Sequence, residues 1–324
     1  MRLAWESRFR GGNATELLVS CSLLSAFCWK PSDLLAFFIG MAFCLTHRSV
    51  TQNRNKDQSF WQKSNDLQCR GWPYRLSRFI RAGLHNWCTK VIWLADEPRS
   101  LQAWKRGWDP EHYIRLRRWH DQGFRPKVVY DIGAHVGGWS EMSQSIFAPL
   151  QCFLFEPQPE YQAKARARQP HGADWQVFPV ALGDKEQSDL MYVTQNGAAS
   201  SMLAPLGGAV PKDWGTETVG QKAVQVAMLD SLVASKGLPF PDLVKIDVQG
   251  YEGRVIAGGK NVLSKAQRIV IEVSLRAIYS DQALLPEVLQ TMSDWGFELE
   301  DINETCRQWA GPLWQTDLWL KRSA

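Results

Sequence analysis

From residue 128 onward, short apolar runs alternate with stretches of helical periodicity. Residues 128–131 form an apolar run that ends on Asp131, and glycines at 133, 137 and 138 lead into a helical stretch over 139–147. Residues 152–156 repeat the arrangement, end on Glu156, and precede a helix over 159–168. Residues 175–182, 243–247 and 268–273 read as further strands, with helices from Glu252 and over 285–295. The last two runs, 297–302 and 316–321, alternate with period two and are joined through Gly311-Pro312 with no helix between them. Strands that alternate with helices predict a parallel sheet covered on both faces. The closing pair predicts an antiparallel edge. The expected fold class is therefore α/β, a doubly wound and mostly parallel sheet with an antiparallel edge strand.

Upstream, Tyr113, Leu116 and Trp119 recur at helical spacing behind Asp109-Pro110, and Gly123 closes that helix. This places the folded domain at 109–324 behind a leader at 1–108, with a long glycine-containing insert at 184–241 that is expected to cover the acceptor, Ser200-Ser201-Met202 facing the cofactor or acceptor. Composition separates the same two regions. Residues 1–124 carry 19 basic and 10 acidic residues, whereas 125–324 carry 18 and 23. Five of the seven cysteines and nine of the 16 tryptophans also precede residue 125. The overall hydrophobic fraction of 45% is that of a globular chain and excludes collagen, coiled coil and wholesale disorder.

Two apolar runs, 17–29 and 34–45, are split by Lys30-Pro31-Ser32-Asp33. Each is shorter than the roughly 20 residues a spanning helix needs. They read as a membrane-surface contact through a shallow hairpin, as a signal peptide, or as part of an irregular leader with no function. Arg70, Arg75, Arg78 and Arg81 lie among Trp72, Tyr74 and Trp87, a mixture that can bind nucleic acid or a membrane surface and is also that of a solvated leader, the reading preferred. No nucleic acid partner is expected. The localisation expected is cytoplasmic, with membrane association through this segment as the variant.

The candidate chemistry lies at the carboxyl ends of the strands. A glycine at the first strand-to-helix turn lets a ligand approach the backbone, which singles out Gly133, Ala134, His135 and Gly137 beside Asp131. The dinucleotide pattern needs glycine at 135, where this chain has His135, so the turn suits a ligand without phosphates. Glu156, 25 residues after Asp131, is placed to accept the hydroxyls of a ribose. Asp247 ends the fourth strand at the same edge, with Lys245 two residues earlier on the same face. Glu252 opens the next helix, as a ligand contact or an N-terminal cap. Glu272 sits in the apolar run 269–274, where a carboxylate must be paired or working, and Lys245 on the adjacent strand is its expected partner. His135 is a candidate base or a pocket wall. The cysteines and histidines show no metal-ligand spacing, so no metal site is expected.

Val129-Tyr-Asp-Ile-Gly-Ala-His-Val-Gly-Gly-Trp139, Phe155-Glu-Pro157, Val180-Ala-Leu-Gly183, Leu243-Val-Lys-Ile-Asp-Val-Gln-Gly-Tyr-Glu252, Ile271-Glu-Val273 and Gln315-Thr-Asp-Leu-Trp-Leu-Lys321 resemble the FkbM family. The resemblance covers about residues 125–322 in order. It implies a Rossmann-like class I methyltransferase with S-adenosylmethionine as cofactor, and O-methylation of a hydroxyl on a sugar, glycan or related natural product. It also implies that Glu156 holds the ribose, Asp131 and Gly133 the amino-acid moiety, and Ala181 and Leu182 the adenine. Asp247 is the first candidate for acid–base work and His135 the second. The family commonly carries Asn at position 135. Two other classes stay open at this point, a nicotinamide-dependent oxidoreductase on a similar scaffold and a non-catalytic binding module.

Overall fold

The computed structural model describes residues 98–207, 210, 214–307 and 311–323. The apolar runs at 17–45 and the basic, aromatic stretch around Arg70–Arg81 lie outside the described residues. Among the described residues, no helix is long and apolar enough to cross a membrane.

The described chain opens with two helices, α1 (Ser100–Arg106) and α2 (Pro110–Asp121). Asp109 caps α2 by accepting a hydrogen bond from the His112 N–H at 2.8 Å, and Pro110 takes the first helical position, where no N–H is needed. Helix α1 lies within the span 1–108 read as leader. Its Ala103 and the following Trp108 are buried in the core, so the described fold begins before Asp109.

The alternating part follows as β1 (Val128–Ile132), α3 (Gly138–Phe147), β2 (Gln151–Phe155), α4 (Pro159–Arg168) and β3 (Asp174–Phe178). After an inserted region come β7 (Leu243–Ile246), α6 (Glu252–Gly258), α7 (Lys260–Leu263), β8 (Arg268–Ser274), α8 (Leu285–Asp294), β9 (Phe297–Arg307) and β10 (Leu313–Arg322). These strands form one sheet in the order β3-β2-β1-β7-β8-β10-β9. The first five run parallel, and β10 is antiparallel to both neighbours, which gives the mixed sheet expected.

Each face of the sheet has its own core. Tyr130, Ile132, Phe155, Ile246 and Ile271 pack against helices from the second half of the domain, including Val255, Leu263 and Met292. Val129, Leu154, Leu243 and Val270 pack against Leu116, Trp139, Met142 and Ala165 on the other side. Burial on both faces is why these strands read as unbroken apolar runs rather than alternating ones.

Two readings need correction. The run 175–182 is two strands: Pro179 cannot donate to a ladder, and β4 (Ala181–Leu182) beyond it leaves the main sheet. The insert 184–241 is not a bare loop. It holds β5 (Gln187–Thr194), a 3₁₀ turn at Gly197–Ala199, β6 (Thr218–Ala227) and α5 (Leu229–Lys236). Strands β4, β6 and β5 form a second, three-stranded sheet with a small core of Ala181, Met191, Val224 and Val226.

Candidate active site

The chain leaves β1 toward β2 and β3, then returns to its other side as β7 and β8. The order thus reverses between β1 and β7, and ligands of open α/β sheets bind outside the carboxyl ends at such a point. Gly133 closes this edge. Its φ is +81°, and a Cβ there would stand 1.9 Å from the Asp247 carbonyl oxygen, so only glycine lets the two strand ends meet. The Gly133 and Ala134 N–H groups donate to the Phe155 carbonyl at 3.0 and 3.2 Å, folding the turn over β2. His135 follows at φ +47°, a region that His and Asn tolerate better than most residues.

That turn aims the His135 N–H at Glu156, whose Oε2 accepts it at 2.9 Å. Glu156 Oε1 accepts from the Gln158 N–H at 2.8 Å. Two backbone dipoles hold this carboxyl, and burial prevails over them, pushing it up to about 7. Each oxygen keeps a lone pair for a hydroxyl donor. Asp131 is fully buried. Its Oδ2 accepts from Ser140 Oγ at 2.7 Å, and its Oδ1 has no partner. Burial raises the Asp131 carboxyl against the opposing pull of Lys245.

The β7 side is built from charge. Lys245 Nζ donates to Asp247 Oδ2 at 2.9 Å. Burial alone would lower the Lys245 ammonium, but Asp247, Asp131 and Asp317 raise it, so it stays charged. Gln249, at φ +55°, donates from one Nε2 to Asp247 Oδ1 at 2.7 Å and to Glu272 Oε2 at 2.9 Å. Gln315 Nε2 also donates to Glu272 Oε2, at 3.0 Å. The expected Lys245–Glu272 pair is therefore corrected. Lys245 lies level with Val270 in the sheet register, and Asp247 is the carboxylate within its reach. Burial pushes the Glu272 carboxyl well above the usual range. Glu252 accepts from the Val248 and Gly250 N–H groups at 3.1 and 3.0 Å, which makes it a brace for this turn.

A cleft runs between the two sides. Of the residues singled out in the sequence, Gly133, His135, Glu156, Ala181, Leu182 and Asp247 line it together. Asp131, Ala134 and Gly137 do not. Asp131 lies beneath Ser140, Ala134 packs into the core, and a Cβ at Gly137 would press on Ala165 and Trp175, so that glycine serves the packing of α3 on α4. The lining also takes Phe155, Val180, Tyr251 and Gln249, and the insert adds Met191, Ser200 and Met202. Gln249 has no charge to mark it in a sequence. Ser200 and Met202 stand out in the sequence as a hydroxyl and an apolar contact within Ser200-Ser201-Met202, whereas Met191 becomes visible only once the second sheet is folded over the edge.

Among the described residues no Lys or Arg lines this cleft, so a pyrophosphate would find no counter-charge from them. An apolar wall, a carboxyl with free lone pairs at a ribose position, and a buried, unpartnered His135 Nε2 suit a nucleoside that carries no phosphate. S-adenosylmethionine fits that description.

Residues 131–299 match the methyltransferase FkbM domain. The 2-O-methyltransferase NoeI of Sinorhizobium fredii is 31% identical over 179 residues, covering 53% of this chain and 72% of NoeI. The hexuronic acid methyltransferase AglP of Haloferax volcanii is 25% identical over 147 residues, covering 45% of this chain and 55% of AglP. The crystal structure of magnesium protoporphyrin IX methyltransferase from Synechocystis PCC 6803 covers 66% of this chain and 79% of its own, with 15% identity and a TM-score of 0.39. The oxidoreductase and binding-module readings are not supported: the chain belongs to the FkbM family of methyltransferases, and S-adenosylmethionine is its methyl donor.

Proposed function

We propose that this enzyme methylates a hydroxyl oxygen on a sugar, glycan or related small molecule. The observation that carries the reading is the carboxylate of Asp247, fixed by Lys245 at 2.9 Å on the wall of the cleft. A fixed carboxylate orients a hydroxyl and receives its proton as the oxygen is alkylated, an effect typically worth about 10²–10⁴-fold. NoeI, a 2-O-methyltransferase, and AglP, a hexuronic acid methyltransferase, support the same class.

When bound, S-adenosylmethionine supplies an electrophilic methyl group on a cationic sulfonium. The rest of the reaction falls to side chains of this chain. Glu156 accepts the ribose hydroxyls. Gly133 admits the ligand to the backbone, Asp131 ties β1 to α3 through Ser140, and Ala134 and Gly137 pack the turn against the core. Ala181 and Leu182 form the apolar wall for the base. Asp247 holds the acceptor hydroxyl in line, and alignment supplies most of the rate. Met191, Ser200 and Met202 bring the insert over the cleft, where it sets acceptor identity. A second reading gives the proton to His135, because its Nε2 is buried without a partner and burial keeps the ring neutral.

Metabolite profiling of a strain lacking the protein tests the proposal. The expected result is one glycan or small molecule that loses a single O-methyl group. Loss of an N- or C-methyl group instead would overturn it.

A further inference from the structure

Asp247 is not the only carboxyl that Gln249 holds: Glu272, which does not itself line the cleft, shares the same amide. Glu272 lies within β8 level with Asp247, since Ile246 and Ile271 are register partners on adjacent strands. A single nitrogen, Gln249 Nε2, lies 2.7 Å from one carboxyl and 2.9 Å from the other. The two heads are therefore held at a fixed short spacing, and Gln249 itself lines the cleft. Glu272 is 5% exposed, and both of its amide donors, Gln249 and Gln315, converge on Oε2. Among the described residues Oε1 accepts no hydrogen bond, which leaves it open to a ligand group.

The two carboxyls differ in what they offer. Asp247 accepts from the Lys245 ammonium. Burial first, and then Asp247, Asp317 and Glu252, raise the Glu272 carboxyl against the pull of Lys245, so its neutral form is favoured. A neutral Glu272 keeps Oε2 for the two amides and carries a proton on Oε1 to donate.

We infer that Glu272 is a second acceptor-binding residue, which donates from Oε1 to the oxygen adjacent to the hydroxyl held by Asp247, so that the enzyme selects acceptors with two neighbouring oxygens. Gln249 is the positioning residue that sets their spacing. The inference rests on the sugar-hydroxyl reading above and narrows it to a vicinal diol or a hydroxyl beside a ring ether.

The test uses the full chain, S-adenosylmethionine and a panel of methyl hexopyranosides with their monodeoxy analogues. For the hydroxyl that is methylated, removing its neighbour should lower kcat/KM at least about tenfold in the wild type, because a site built to bond a hydroxyl rejects its absence. In E272L that ratio should fall to near one. In E272Q it should persist, since the amide oxygen can serve Gln249 and Gln315 while its NH₂ donates. S-adenosylmethionine affinity, measured by calorimetry, should be retained in each variant and reports on folding. A wild type that accepts the deoxy analogue as readily as the parent overturns the inference whatever the variants do, as does an unchanged ratio in E272L. Failure of every sugar in the panel overturns the sugar reading and this inference with it, whereas turnover with no neighbour preference overturns this inference alone.

Discussion

Glu156 and Asp247 stand on opposite sides of one cleft, and the fold holds them by different means. Glu156 receives two backbone N–H groups at 2.9 and 2.8 Å. Asp247 receives a buried ammonium at 2.9 Å and a side-chain amide at 2.7 Å. Backbone dipoles do not fully offset burial, so Glu156 titrates near neutrality and its charge responds to what binds. A lysine enclosed by Asp131, Asp247 and Asp317 fixes charge in place. One side of the cleft can adjust to a ligand that arrives and leaves. The other presents a constant electrostatic environment to the reacting oxygen.

The largest effect should come from removing the fixed charge. K245M leaves Asp247 and the buried Asp131 without a cation, and breaking such a pair costs about 3–5 kcal/mol of stability by urea unfolding. A loss below about 1 kcal/mol would mean that the lysine does not compensate these acids.

On the adjustable side, E156A should weaken S-adenosylmethionine binding by about 1.5–3 kcal/mol in calorimetry. The sign of its pH dependence follows from the raised carboxyl. Its folded value, about 7, exceeds the ordinary 4.5, so its contribution to folding is fully present below 4.5 and is lost as pH rises through about 7. Ligand hydroxyls favour the ionised form, so cofactor affinity should rise about tenfold between pH 6 and pH 8. E156Q should bind more weakly and show no such rise, and a pH-independent wild type would refute the assignment.

D247N should lower turnover at least about tenfold, or 1.4 kcal/mol of barrier, with cofactor affinity little changed. Equal losses in both would move Asp247 to the cofactor side of the comparison. The smallest effect is expected at His135. H135N keeps a residue suited to positive φ and should cost less than about 0.7 kcal/mol, while H135V should lose about 1–3 kcal/mol of stability to backbone strain. If H135N abolishes turnover and D247N does not, the base is His135.

The acids that close apolar runs were legible without coordinates, because a carboxylate at the end of a buried strand has few places to go. Asp131, Glu156 and Asp247 all fall at one sheet edge for that reason. The order of the strands followed from their connections and from the lack of a helix between the last two. The partner of Glu272 was not legible, since it depends on register: Lys245 lies beside Val270, and Asp317 beside Glu272. Gln249 was missed because its role comes from a left-handed backbone angle that aims one amide at two carboxyls. The second sheet was hidden by its mostly exposed strands, whose polar outer halves read as loop.

Gly133 can be set beside Gly123, which also has a positive φ, of +93°, but has nothing within 4 Å of a Cβ built there. Substitution at Gly123 carries a torsional penalty alone. Substitution at Gly133 carries that penalty and a collision with the Asp247 carbonyl, at the point where cofactor and acceptor sides join. In a saturation library of this gene, codon 123 should tolerate Asn and Asp and grade smoothly through the other residues. Codon 133 should behave as a binary position, and the spacing between the two halves of the cleft would then be heritable as a single letter.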